Sequence, residues 1–249
     1  MTDTDRDWKI WAETDPYYAV LAAPQFRKDR LDLDEFFLTG SAYVADRLDM
    51  LERQLGAMPR GRALDFGCGV GRVALPLGAH FDEVLGLDVA PAMLAEAEAL
   101  KSAQGARNVH FALSDDRLTT APGRFDFVHS YIVFQHIPPQ RGLPIIDLLL
   151  DRVTPGGVAN IHVAFGGEER PLRNFYYAAR ARFPVVQRIV HALRGKNPDE
   201  PVMQMNAYPL RQVFAMLHAR GFGQAVVDVE PHGKFLTMHI AAKRKGEGA

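Results

Sequence analysis

Short apolar runs alternate with helical repeats through the middle of the chain, from Arg62 to about Phe165. The runs are ALDF, VLGLDV, VHFAL, FDFVHSYIVF and GGVANIHVAF, and a helix opened by Pro91, PAMLAEAEALK, lies between the second and third. Strands separated by helices cannot pair as tight hairpins, so the pattern predicts an α/β fold with a parallel sheet and helices on both faces. Upstream, Val44, Leu48, Leu51 and Leu55 recur at helical spacing and predict an amphipathic helix between Ser41 and Gly56, with the glycine as its stop. Pro76 removes a helix hydrogen bond soon after a glycine-rich turn, which predicts a short or late-starting helix there. Beyond Gly166 the alternation stops, and EERPLRNFYYAARARFPVVQRIVHALRGKNPDEPVMQM reads as one or two helices with a Pro-containing loop. A last helix, led in by Pro209 and stopped by Gly221, carries Leu210, Val213, Phe214 and Leu217. AVVDVE and FLTMHIAAK then predict a closing hairpin turned through Pro231, His232 and Gly233, with a frayed tail after it.

Composition sets limits on this picture. A chain of 249 residues with 47% hydrophobic and 24% charged positions suits one sizeable core rather than two independent enzyme domains. Lysine plus arginine (29) nearly balance aspartate plus glutamate (30), so no overall field favours nucleic acid or an anionic membrane. No apolar run approaches the roughly 20 residues of a membrane span, and the start MTDTDRDWKIW is acidic where a secretory signal would be basic and then apolar. A cytoplasmic location is the expectation. The single cysteine, Cys68, excludes an intramolecular disulfide and any multi-cysteine metal site.

The densest chemical signal is ALDFGCGVGR, where an apolar run leads into Asp65 and then Gly67, Gly69 and Gly71 at alternate positions, with Cys68 between. Glycines at a strand-to-helix turn let backbone N–H groups crowd a ligand; an ordinary glycine-rich turn has the same composition. Asp65 separates the two readings, because its carboxylate suits the cationic amino-acid end of S-adenosylmethionine and repels a dinucleotide pyrophosphate. Asp88, at the end of the next run, can accept hydrogen bonds from both hydroxyls of an adenosyl ribose, or can cap the helix that starts near Pro91. In LSDD, Asp115 or Asp116 can accept the exocyclic amine of adenine, or can be solvated loop carboxylates.

Together the glycine loop and the three acidic positions resemble the class I S-adenosylmethionine-dependent methyltransferases of small-molecule type, over the core and the closing helix and hairpin but not the intervening insertion. The resemblance implies a Rossmann-like seven-stranded sheet whose last strand is antiparallel. It also implies a cofactor across the carboxyl ends of strands one, two and four, with Val89 and Met93 near its adenosine. On this reading residues 1–57 form an amino-terminal helical lid, 58–165 the cofactor-binding core, 166–206 a helical cap inserted after strand five, and 207–249 the closing helix and hairpin. FDFVHSYIVFQHIPP resembles the family's fourth strand and following loop, which makes Ser130, Tyr131, Gln135 and His136 candidates beside the methyl group. A hydroxyl acceptor has to lose a proton, and a histidine of ordinary pKa suits that task, so His136 is the candidate base; the alternative is a structural hydrogen bond to backbone. His129 and His162 alternate along strands and read as packed against the sheet. Trp11, Tyr17 and Tyr18 in the amino-terminal segment and Tyr176 in the insertion are candidates for substrate contact, or else staples to the core.

Several absences narrow the reaction. The place after strand four reads SYIV, not the Asn/Asp-Pro-Pro-Tyr run of family members that methylate adenine or glutamine amides. The only cysteine lies in the glycine loop, which leaves no separate nucleophile for cytosine carbon methylation. HSYIVFQHIPP offers no carboxylate of the kind that holds magnesium in catechol-type enzymes, so no metal is expected. The expected function is methyl transfer to oxygen of a small-molecule acceptor, with transfer to nitrogen of a small amine or protein side chain as the alternative. Two other classes stay open: an NAD-dependent oxidoreductase, because GVGRVA matches a dinucleotide pattern, and a non-catalytic module that only binds S-adenosylmethionine.

Overall fold

The computed structural model describes residues 4–167, 201 and 203–246. Helices α1 (Thr4–Thr14), α2 (Pro16–Leu21) and α3 (Leu33–Leu55) precede β1 (Arg62–Phe66), α4 (Ala74–Leu77), β2 (Glu83–Asp88), α5 (Pro91–Gln104), β3 (Val109–Leu113) and β4 (Phe125–Ser130). Next come α6 (Pro139–Asp151), β5 (Val153–Gly167), α7 (Leu210–Ala219), β6 (Phe222–His232) and β7 (Phe235–Arg244). The strands form one seven-stranded sheet in the order β3-β2-β1-β4-β5-β7-β6. β1 to β5 run parallel, and β7 lies antiparallel to both β5 and β6. The parallel strands are those the helix–strand alternation predicted, and the seven-stranded Rossmann-like sheet with β7 reversed is what the family resemblance implied.

Alternation of side chains along β1 explains the layering. Leu64 and Phe66 point to one face and join Val128, Ile145, Ile146, Leu149 and Leu217. Ala63 points to the other and joins Val44, Leu51, Leu77, Val84 and Phe127 beneath α3 and α4. A third cluster, of Trp11, Tyr17, Phe26, Phe36 and Met93, ties the amino-terminal helices to the core. The sheet order reverses its winding between β1 and β4, and the strand ends at that reversal leave a crevice where α/β proteins bind ligands.

α4 is a single turn around Pro76, as the missing N–H dictates. α3 differs from expectation by starting at Leu33 rather than Ser41. Asp32 caps it by accepting from the Glu35 N–H at 3.0 Å, and Phe36 and Gly40 extend its buried face by two turns. The apolar pattern breaks there because Gly40 serves a close approach. The first two residues assigned to the insertion, Gly166 and Gly167, belong to β5, and the proposed helices with Tyr176 lie outside the described residues.

A β-carbon added at Gly40 would stand 2.1 Å from the carbonyl oxygen of Arg72, in the glycine loop. Glycine-to-alanine in a helix interior ordinarily gains about 1 kcal/mol. Here the clash reverses the sign, and Gly40→Ala should lower stability by about 1–3 kcal/mol, the range for overpacking. Urea unfolding checks this, and a net stabilisation would contradict the packing described.

Candidate cofactor and substrate cleft

At the carboxyl ends of β1, β2 and β4 lies a cleft of about 810 Å³ of atom-free space, part of it open to solvent. Its floor is Phe66, Gly67 and Gly69 from the loop after β1, and one wall is Leu87, Asp88, Val89 and Met93. Ser114, Asp115 and Asp116 follow β3, while Tyr131, Ile132, Val133 and His136 follow β4. Thr4, Asp5 and Trp8 of α1 close over it.

The glycine loop is held in a shape only glycines take easily. Gly67 and Gly69 have φ of 77° and 55°, and a β-carbon on Gly67 would stand 2.3 Å from Val133 Cγ2. Asp88 locks the loop, one carboxylate oxygen accepting from the Gly69 N–H and the other from the Ala90 N–H, both at 2.9 Å. Each oxygen has lone pairs to spare for ligand hydroxyls. Desolvation pushes the Asp88 pKa up to about 6, against the backbone N–H groups that lower it. Asp88 thus orders backbone and lines the cleft; it is not the cap of α5, whose N-cap is Ala90 with no side-chain cap bond.

Asp65 does not hold the glycine loop directly. Its Oδ1 accepts from His129 Nδ1 at 2.8 Å, and the opposite ring nitrogen of His129 lies 2.9 Å from the Tyr43 hydroxyl. Burial keeps that phenol protonated. His129 is therefore a buried orienter of Asp65. The other oxygen, Oδ2, is buried without a partner, an expensive arrangement unless a ligand donor completes it. It faces a smaller recess, about 280 Å³, lined by Asp65, Gly67, Cys68, Arg72 and Tyr131. Arg72 contributes a buried, unpartnered Nε there. Gly67, Val20, Tyr131 and Ile132 line both spaces, so the recess opens off the cleft.

The segment after β4 turns on Ile132, whose φ of 60° is strained for a β-branched residue. That turn sends Tyr131, Ile132 and Val133 into the cleft and places a short 3-10 turn over Phe134–His136. His136 Nδ1 lies 2.6 Å from the Gln204 carbonyl, which can only accept, so the proton sits on Nδ1 and the lone pair on Nε2. Trp8 packs on the same ring, with centroids 4.9 Å apart. Burial lowers the pKa of His136 to about 4, which corrects the expectation of an ordinary titration.

Other sequence candidates fall elsewhere. Gln135 and Ser130 are fully buried and do not line the cleft; both turn their polar atoms into the interior. Trp11 and Tyr17 are core staples, Tyr17 donating to Glu96 at 2.5 Å. Tyr18 lies under the Arg27 guanidinium, 3.4 Å from its ring centre. None of these three lines the cleft, and Trp8 occupies the place assigned to them. The Asp115 carboxylate is engaged by Thr119 and the Arg117 N–H, which holds its pKa down, so this side chain shapes the loop after β3. Asp116 pairs with Arg141 at 2.7 Å, and Arg141 also reaches Asp5 at 2.6 Å. This clasp joins α1 to the cleft rim. Arg141, Asp5 and Arg72 were missed by sequence reasoning, and of these only Arg72, adjoining the glycine motif, had a signal to find it by; Trp8 belongs to the aromatic amino-terminal segment that the sequence singled out, where Trp11, Tyr17 and Tyr18 were chosen instead.

A family model described as a methyltransferase domain matches residues 63–157, from β1 into β5. A trans-aconitate 2-methyltransferase of Methylobacterium radiotolerans is 33% identical over 103 residues, covering 41% of this chain and 37% of that protein. A ubiquinone biosynthesis O-methyltransferase of Leptothrix cholodnii is 28% identical over 113 residues, 45% of this chain and 47% of that protein. The chain spans less than half the length of these relatives. Among solved structures, magnesium protoporphyrin IX methyltransferase from Synechocystis with bound S-adenosylhomocysteine superposes with a TM-score of 0.63 at 18% identity, covering 96% of this chain and 98% of that one. At that identity the likeness is one of fold.

The buried His136 gives a pH prediction. Unfolded, it takes up a proton near the ordinary value of about 6.5; folded, it stays neutral down to about 4. Between these values the unfolded state holds more protons, so the contribution is complete above pH 6.5 and is lost as the pH falls to about 4. The urea midpoint of the parent should fall more steeply over that window than that of His136→Gln. Equal slopes in the two proteins would contradict the burial.

Proposed function

We propose that this chain, a member of the class I S-adenosylmethionine-dependent methyltransferases by its Rossmann-like core, transfers the cofactor's methyl group to an oxygen of a small molecule. The observation that carries the reading is one continuous cleft with Asp88 on one wall, the orphaned Asp65 oxygen in its side recess and His136 at its other side. The donor set fits the cofactor at both ends. Asp88 accepts two ribose hydroxyls, and the apolar Val89, Met93 and Ile145 sandwich a purine. In the recess, Asp65 Oδ2 would accept an ammonium and Arg72 would pair with a carboxylate, which would give partners to the Asp65 Oδ2 and Arg72 Nε atoms that lack them. A dinucleotide would set its pyrophosphate against Asp65 and Asp88, where charge opposes it.

When bound, the cofactor supplies a methyl group already activated on a positively charged sulfur. The chain's part is positioning, exclusion of water and proton removal. Trp8 and the Arg141 clasp hold α1 over the cleft. His136, neutral and with its Nε2 lone pair fixed by the Gln204 bond, accepts the proton of a hydroxyl acceptor. With a pKa near 4 it is a weak base, which suits an acidic hydroxyl such as a phenol better than an alcohol. Support for oxygen and for a small acceptor comes from the two relatives, one named for trans-aconitate and one as an O-methyltransferase.

Two measurements test this. Asp88→Ala should weaken binding of S-adenosylhomocysteine by about 1.5–3 kcal/mol, the range for hydrogen bonds to a charged group, with the fold retained; an unchanged dissociation constant removes Asp88 from the site. His136→Ala should lower turnover about a hundredfold at preserved affinity for S-adenosylhomocysteine. At saturating cofactor the parent's rate should decline only as the pH approaches about 4, and that limb should vanish in the variant. A variant that keeps most of its activity would return His136 to a structural role.

A further inference from the structure

Behind Tyr131, on the sheet face beneath α3, three side chains from adjacent antiparallel strands converge. His162 of β5 and His239 of β7 sit directly opposite each other in the ladder. Glu230 of β6 is two positions from Asp228, the residue opposite His239, so all three project to the same face. His162 Nε2 lies 3.2 Å from Glu230 Oε1, and His239 Nε2 lies 3.6 Å from the same oxygen. One ligating atom from each residue falls within 4.8 Å of the others.

From these residues we propose that His162, Glu230 and His239 form a binding site for a divalent first-row transition metal ion of the zinc class. Ligands about 2.0–2.1 Å from a tetrahedral zinc stand roughly 3.3–3.4 Å from one another, so the two edges to Glu230 already match a coordination shell. Two imidazoles and one carboxylate are a borderline donor set that favours zinc and its neighbours over magnesium or calcium. The rings are buried, with 0% and 1% exposure, and neither ring nitrogen of His239 has a hydrogen-bond partner. A buried imidazole without hydrogen-bond partners, as His239 is, is costly, and a metal removes that cost.

One contact opposes ligation. The Ile132 N–H lies 3.4 Å from His162 Nδ1, and ligation through Nε2 moves the ring proton onto Nδ1. That bond is long, and its loss falls on the strained Ile132 turn at the cleft edge. Glu230 is 35% exposed, which gives an ion a route in from solvent and leaves room for water at the remaining positions. Three protein ligands with an open position are the coordination of zinc sites that take an exchangeable water or an anionic oxygen. The search for carboxylates after strand four could not reach this cluster, because its members lie on β5, β6 and β7.

The untagged full-length chain, dialysed against buffered zinc at about 10 µM and then against metal-free buffer, tests the proposal by elemental analysis. The parent should keep about one zinc ion per chain. Glu230→Gln, nearly isosteric and partly exposed, should lose it, as should His239→Ala, while His218→Ala, which alters an exposed histidine on α7, should keep it. Circular dichroism at the dialysis temperature verifies that each variant is folded. The proposal is overturned if the folded parent keeps no zinc, or if Glu230→Gln retains the parent's stoichiometry.

Discussion

The Asp88 carboxylate bonds across from the end of β2 to the Gly69 N–H in the loop after β1, and the whole site depends on that cross-tie. It fixes a backbone shape that requires positive φ at Gly67 and Gly69. It also keeps a desolvated carboxylate at the mouth of the cleft, where an isolated charge would be costly. Packing around the loop leaves little slack. Gly40 of α3 touches the Arg72 carbonyl, Val133 closes on Gly67 and Val20 on Gly69. Movement of one neighbour therefore displaces the others, which is how elements distant in sequence come to shape one binding surface.

Around that loop the chain builds two electrostatically distinct compartments. The larger cleft is mostly apolar, with Asp88 on its wall, Asp5, Asp115 and Asp116 around its edge, and a buried, neutral imidazole opposite. The recess beside it is polar, and its groups are left incomplete: Asp65 is oriented by His129 and Tyr43 on one oxygen only. In the proposed reading a zwitterionic amino-acid end takes the recess and an adenosine the cleft. His136 belongs to the same logic. Its bond to Gln204 selects the tautomer and its burial weakens it as a base; in the proposed reaction the acceptor's own acidity therefore shares the work of proton loss.

Most of the fold was legible because apolar periodicity decides it. The strands themselves, the closing hairpin and the truncated helix at Pro76 follow from local patterns that tertiary packing did not override, whereas the seven-stranded architecture came from the family resemblance. The start of α3 was hidden because Gly40 looks like a helix breaker until the Arg72 carbonyl is seen against it. For the site, glycines and acidic residues at strand ends were readable, since backbone position alone puts Asp88 at the cleft. Side-chain direction was not readable. Gln135 and His136 are neighbours in sequence, yet one points inward and the other lines the cleft. Trp8 rather than Trp11 faces the cleft for the same reason, because both belong to α1 and only its docking angle chooses between them. Long-range pairs such as Asp5 with Arg141, and the His162, Glu230 and His239 cluster, have no local signature at all.

The central claim concerns what the cleft holds, and calorimetric titration of the full chain with S-adenosylhomocysteine and, separately, with NAD tests it most directly. The account predicts one binding site for S-adenosylhomocysteine at roughly micromolar affinity, equivalent to about 8 kcal/mol, and no measurable heat from NAD. Tighter binding of NAD than of S-adenosylhomocysteine, or no binding of S-adenosylhomocysteine, would contradict it.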